Sequence, residues 1–316
     1  MTHTFFEGPE KKVELAVVDG HPSLRGLGDA FWRGVVRAAQ AEVLSVISND
    51  HLDAYLLSES SLFVYDGFVT MITCGKTTLV EAVDAMLERI PPKAISVLVY
   101  ERKNEHFPHE QPTSFFEDGR RLVTRLPGRA VRFGVEHEHA VRMFHTTREH
   151  RPEPDDRTLE ILMHGIDPKR TEPFRGPRPE GGIAHALGLD LALAGHTVDE
   201  HFFEPTGYSL NAIRDAAYTT LHVTPQRLGS YVSFETNAAD FRGHLQELVC
   251  EVVGVFAPES FDVVVFEPHE APIELQLDGY VVRKHVREPV CGYHVSFRHF
   301  FRDATGPTRA VEIPMR

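Results

Sequence analysis

The stretch Ala54-Tyr55-Leu56-Leu57-Ser58-Glu59-Ser60-Ser61-Leu62-Phe63-Val64-Tyr65 decides the fold. Two short β-favouring runs flank a tight polar break, the pattern of a hairpin. Strand formation does not require Ser-Glu-Ser-Ser at that break, so its hydroxyls and carboxylate invite a chemical reading. Further β-rich runs lie on either side, at Val43–Ile47 and Phe68–Cys74. Consecutive strands joined by short turns imply antiparallel pairing.

Outward from this hairpin, 13–18 reads as a first strand and 26–41 as a helix around Trp32, Val35 and Val36. A second helix opens at Gly75, with Leu79, Val80, Val83, Met86, Leu87 and Ile90 forming one apolar stripe. Pro91-Pro92 ends it, and 94–100 is a strong strand. The region 115–121 reads as an amphipathic helix. The second half follows the same plan: strands at 197–203, from 207, at 218–223 and 231–234, a helix through Phe241, Leu245, Leu248, Val249 and Val252, and a strand at 261–266. The Pro-, Arg- and Glu-rich stretch 146–186 reads as the crossover, interrupted by a strand at 159–163. Ser60 and Cys74 are spaced almost as Ser209 and His222 are, which suggests an internal duplication with halves of about 1–150 and 151–316. The expected fold class is α+β, a four-layer α/β/β/α sandwich of two antiparallel sheets in a single domain, 1–316.

Bulk properties narrow the partners. The chain has 316 residues, 42% hydrophobic and 25% charged, and a formal net charge of −13. That charge disfavours nucleic acid and anionic membranes and suits a cationic ligand. The three cysteines, Cys74, Cys250 and Cys291, form no zinc or disulfide pattern and fit a reducing, cytoplasmic setting. The first 20 residues lack a secretory pattern, and no apolar run is long enough to span a bilayer.

Taken together, Leu57-Ser58-Glu59-Ser60-Ser61, Ile72-Thr73-Cys74-Gly75, Phe5-Phe6-Glu7-Gly8, Gly207-Tyr208-Ser209 and His222 make the chain resemble the S-adenosylmethionine decarboxylases of eukaryotic type. The resemblance implies a self-processing proenzyme and the same four-layer architecture. Cleavage between Glu59 and Ser60 would give a β chain, 1–59, and an α chain, 60–316, with Ser60 becoming a covalent pyruvoyl cofactor. The resulting ketone would condense with the substrate amine and accept the electrons released as carbon dioxide leaves. By the same resemblance His222 removes the serine α-proton, Ser209 stabilises the cyclic intermediate, and Cys74 returns a proton to the substrate. A partly exposed thiol titrating near neutrality is expected for that last role. Glu7 and Glu10 match acidic residues near the processing and active sites. Phe6 and Phe203 match an aromatic clamp on adenine, and Leu57 and Glu59 match positions whose backbone reads the adenine edge.

Glu14, Asp156, Thr158, Glu160 and Glu235 match a buried polar network that binds putrescine in animal relatives. Two departures fall on it: Ile72 stands where a lysine is usual, and Glu101 stands where a serine is usual. The acids therefore require either a bound diamine or an internal cation such as Arg102. At the substrate site Gln226 replaces a ribose-gripping carboxylate, and Thr206 replaces a cysteine before Gly-Tyr-Ser. The expected partners are S-adenosylmethionine and, for the network, putrescine, in a monomer or a homodimer of αβ units. Alternatives are a pyruvoyl-dependent decarboxylase of ornithine or arginine, favoured by Gln226 and Ile72, and a noncatalytic regulatory homologue. His137 and His139 form a weak metal pair with no further ligand at a recognisable spacing, so no metal is expected. Gly75-Lys76-Thr77-Thr78 lacks the first glycine of a phosphate loop.

Overall fold

The computed structural model describes residues 6–136, 138–175, 182–226, 229–303 and 306; His137 lies outside them. The first sheet contains β1 (Lys11–Val17), β2 (Val43–Ser48), β3 (Leu52–Leu57), β4 (Ser60–Tyr65), β5 (Phe68–Thr73), β6 (Ile95–Lys103), β7 (Gly128–Gly134) and β8 (Ala140–Thr146). The second contains β9 (Thr158–His164), β10 (Thr197–Phe202), β11 (Tyr208–Arg214), β12 (Ala217–Thr224), β13 (Tyr231–Thr236), β14 (Ser260–Glu267), β15 (Tyr280–Val290) and β16 (Tyr293–Arg302). Their orders are β2-β3-β4-β5-β1-β6-β8-β7 and β10-β11-β12-β13-β9-β14-β16-β15. The second order is the first with every strand advanced by one half-chain, so the duplication is structural. Each sheet is antiparallel throughout.

Alternation along the strands sorts side chains into layers. Val13, Leu15, Leu57, Leu62 and Met71 face outward, where α1 (Asp29–Ala38), α2 (Leu79–Leu87) and α3 (Phe115–Arg125) cover them. The second sheet buries Leu159, Ile161, Val232 and Phe234 under α4 (Leu245–Phe256), with Leu189, Ile273 and Leu277 from connecting loops. Between the sheets lie two apolar clusters. One joins Val97, Val99 and Met143 to Leu162, Val264 and Phe297. The other joins Phe63 to Tyr218, whose rings stack at 4.2 Å.

Two sequence expectations need correction. The helix assigned to Gly75 begins at Leu79, because Gly75 has φ +63° and its N–H is engaged by the Glu7 carbonyl. The strand expected at 159–163 inside the crossover 146–186 is β9, which lies in the second sheet between β13 and β14. The supposed correspondence of Ser60/Cys74 with Ser209/His222 also fails. Ser60 begins β4 and Cys74 follows β5, whereas Ser209 lies on β11 and His222 on β12, the counterparts of β3 and β4. Similar spacing arose from two different hairpins.

Candidate active site

The β3–β4 hairpin closes with Leu57 paired to Ser60, leaving Ser58 and Glu59 as its turn. Ser60 is 1% exposed and has φ +121°, a region that residues with a Cβ rarely adopt. The backbone is therefore strained at the peptide expected to break. The carbonyl of Glu59 accepts the Cys74 backbone N–H at 3.0 Å, and Cys74 Sγ lies 3.5 Å from the same oxygen. A carbonyl under attack by the following serine would thus develop its negative charge beside a fixed donor. Ser60 Oγ lies 3.5 Å from Cys74 Sγ.

Cys74 differs from its expected character. It is 8% exposed, and burial, reinforced by nearby Glu59, pushes its thiol far up. The group retains its proton at neutral pH, which suits proton donation rather than a thiolate role. Burial also raises Glu59 to about 7, with Lys11 opposing.

Ser209 and His222 face each other across β11 and β12, with Ser209 Oγ 2.8 Å from His222 Nδ1. The other ring nitrogen, Nε2, lies 2.9 Å from Thr220 Oγ1 and 3.2 Å from Ser61 Oγ. The couple reaches across the sandwich to Ser61, one residue beyond Ser60; its hydrogen bonds do not include Ser60. Asn211 completes the arrangement. Its Oδ1 accepts Ser61 Oγ at 2.6 Å and Thr220 Oγ1 at 3.0 Å, and its Nδ2 donates to the Tyr55 carbonyl. Ser61, Asn211 and Thr220 were missed in the sequence, although Ser209-Leu210-Asn211 and Thr220-Leu221-His222 show the two-residue spacing of a shared strand face. Burial lowers His222 to about 3, leaving a neutral imidazole able to accept a proton.

Glu7 is buried and ties down the loop after β6. Its two carboxylate oxygens accept the backbone N–H groups of His106 and Phe107, both at 2.9 Å. Glu10 accepts the hydroxyl of Ser233, the cross-strand neighbour of His222. Burial chiefly raises Glu10 to about 7. The residues expected at the substrate site are dispersed. A Cβ added to Gly75 would lie 2.7 Å from Glu59 Oε2 and 3.1 Å from the Phe6 ring, so those three groups converge. Phe203 packs over Gly207 and edge-on to His201 at 4.7 Å. No ring contact joins it to Phe6 among the described residues. Leu57 is fully buried in the outer core, leaving only its backbone for recognition. Gln226 is half-buried in the loop after β12.

The acidic network contains internal cations, but Arg102 is not among them. Glu101 and Lys103 face the second sheet, whereas Arg102 points the other way, to Asp118 at 2.7 Å and to Glu105. The inward cations are Lys12 and Lys103. Lys12 Nζ lies 3.0 Å from Glu14, 2.9 Å from Glu160 and 3.0 Å from Glu235. Lys103 Nζ lies 2.9 Å from Glu160 and 3.6 Å from Glu101. Ile72 and Lys12 are cross-strand partners, so an ammonium enters one strand away from where Ile72 excludes it. Strand period makes Lys12 with Glu14, and Glu101 with Lys103, same-face pairs, a legible signal overlooked in the sequence.

Desolvation raises Glu101 and Glu235 to about 8, while the two lysines hold Glu160 down near 2. At neutral pH the two ammonium groups then face the ionised Glu160, with Glu14 beside Lys12. Tyr218 donates its hydroxyl to Glu235. Thr158 is buried two residues before Glu160 on the same face of β9. Asp156 stands apart, accepting Tyr293 Oη at 2.5 Å, and burial raises it to about 6.

Residues 3–300 match the family model described as adenosylmethionine decarboxylase. The chain belongs to that family. It is 36% identical over 293 residues to the S-adenosylmethionine decarboxylase proenzyme of Leishmania donovani, covering 85% of this chain and 75% of that protein. The Drosophila melanogaster proenzyme is 32% identical over 288 residues, covering 83% of this chain and 82% of its own length. Among solved structures, the Trypanosoma brucei AdoMetDC-delta26 monomer superposes with a TM-score of 0.59 at 26% identity. That match covers 77% of this chain and 99% of the solved one. In this adenosylmethionine decarboxylase family member, then, the Ser209–His222 couple reaches across the two sheets to Ser61, the residue next to the strained Ser60.

Proposed function

We propose that the chain is a self-processing decarboxylase of S-adenosyl-L-methionine, releasing carbon dioxide and the decarboxylated sulfonium used as an aminopropyl donor in spermidine and spermine synthesis. The observation that carries this reading is Ser60 at φ +121° with the preceding carbonyl held by the Cys74 N–H. Ser60 Oγ attacks the Glu59 carbonyl carbon, the C–N bond breaks, and an ester replaces the amide. His222 takes the Ser60 α-proton as the Glu59 carboxylate leaves. Water then converts the resulting dehydroalanine to a pyruvoyl group with loss of ammonia. The products are the β chain, 1–59, and the α chain, 60–316.

The pyruvoyl carbonyl supplies an electron sink for decarboxylation. The buried Cys74 thiol, protonated at neutral pH, holds the proton that replaces carbon dioxide. Phe6 and Glu59 border the adenine position, with Phe203 as the opposite wall and Gln226 toward the ribose. A neutral glutamine keeps an acceptor there but loses the charge of a carboxylate. Lys12 and Lys103 balance the acidic network, so processing and turnover proceed without putrescine. No helix among the described residues is long and apolar enough to cross a membrane, and a cytoplasmic location is proposed from the thiol content.

The test is release of labelled carbon dioxide from carboxyl-labelled S-adenosylmethionine, with labelled ornithine and arginine as comparators. Intact mass should show two chains, the larger blocked by a ketone. One uncut chain after prolonged incubation, or release from the plain amino acids alone, would refute the reading.

A further inference from the structure

One inner-face row of the second sheet begins at Ser209 and His222, passes Ser233 and Leu162, and ends at Asp262 and His299. At its far end several imidazoles converge. His164, the last residue of β9, pairs with Ser260 and is 8% exposed. His139 enters from the first sheet, immediately before β8, and packs against His164 with ring centroids 3.8 Å apart and ring planes tilted by 35°. His299 lies 5.0 Å from His139.

The polar atoms here are incompletely used. Nδ1 of His139 and Nδ1 of His164 are buried and have no hydrogen-bond partner among the described residues. Such orphaned nitrogens are uncommon in native interiors and call for an explanation. His139 Nε2 is 3.0 Å from Ser260 Oγ, fixing one side of its ring. Asp262 Oδ1 is 2.8 Å from His299 Nδ1, an arrangement in which the imidazole N–H orients the carboxylate. A nitrogen from His139, a nitrogen from His164 and an oxygen from Asp262 all lie within 4.8 Å of one another.

We propose that His139, His164 and Asp262 bind a first-row divalent transition-metal ion of the Zn²⁺ class, clamping the two halves together. Two imidazoles and one carboxylate are a donor set such ions accept, with a further position left for water. Ligand bonds of about 2.0–2.2 Å would require the three atoms to draw together by roughly an ångström when the ion binds. The ion would take up the two orphaned nitrogens, with His299 as the outer partner of Asp262. The role is structural: His139 comes from the first half, and the other two ligands from the second.

The experiment titrates chelator-stripped full-length protein with Zn²⁺ against a chromophoric chelator, and separately with Co²⁺ followed by visible absorption. The expected result is one equivalent of Zn²⁺ with Kd below about 10 µM, weakened at least about tenfold in His139→Ala and in the double variant His164→Gln/Asp262→Asn. Co²⁺ should give the intense bands of low-coordinate cobalt, and Zn²⁺ should raise the melting temperature of the wild type. His139→Ala alters a partly exposed residue, so it remains informative if the double variant misfolds; circular dichroism checks both. Equal Zn²⁺ affinity in wild type and His139→Ala, or no stoichiometric binding below about 10 µM, would overturn the proposal. Neither measurement depends on processing or decarboxylation.

Discussion

The β3–β4 and β11–β12 hairpins occupy equivalent places in the two halves, and each closes over two residues. In the second half, Asp215 in the turn has φ +50°, and Asp215 and Ala216 are exposed. That is an ordinary turn, since aspartate tolerates the left-handed region. In the first half the positive φ moves onto Ser60, the first strand residue, with the much less accessible value of +121°, and the residue is buried. One scaffold thus carries a relaxed turn and a strained one. Of two hairpins at equivalent places, one carries the strained serine and the other carries the groups that face it.

The contrast is broken most completely by Ser60→Ala. It removes the attacking oxygen, so intact mass should show a single chain of 316 residues and no decarboxylation. His222→Ala should slow processing by about 10²–10⁴-fold, the usual range for loss of a general base. If His222 acts in elimination, an ester cleavable by hydroxylamine accumulates at Ser60; if hydroxylamine gives no cleavage, the couple acts elsewhere.

Lys12→Met tests the electrostatics between the halves. It strands Glu14, Glu160 and Glu235 without their shared ammonium and should cost about 3–5 kcal/mol in denaturant unfolding. Added putrescine should recover part of this in the variant and little in the wild type. A wild-type protein that depends on putrescine would defeat the internal-cation reading.

The pH dependence follows from Glu101 and Glu235, raised to about 8 from an ordinary 4.5. Between those values the folded state holds protons that the unfolded chain has released. Their contribution to stability is therefore fully present below about pH 4.5 and falls as pH rises toward 8. Melting temperature should drop by several degrees from pH 6 to 9, and Glu235→Gln should flatten the slope. The smallest effect belongs to the relaxed turn. Asp215→Gly should change stability by only a few tenths of a kcal/mol and leave processing intact, as read by thermal melts and mass.

Much was legible in the chain itself. Strand period and turn residues gave the antiparallel hairpins, because these signals are local, whereas the Ser-Glu-Ser-Ser break and His222 pointed to a candidate site only through the joint family resemblance. The network cation was misread as Arg102, since the choice between residues 102 and 103 depends on which face of β6 meets the second sheet. The thiol was expected near neutrality, yet burial between the sheets decides its proton affinity.

Sequence by itself determined the repeating order of strands and helices and the family to which the chain belongs. Only the tertiary structure decided which groups meet: Ser61 with His222, Lys12 with three glutamates, His139 with His164. The physical reason is that the two sheets pack face to face. Contacts across that seam join residues more than 100 positions apart, as Ser61 and His222 do, and both desolvation and charge pairing arise only when the seam closes.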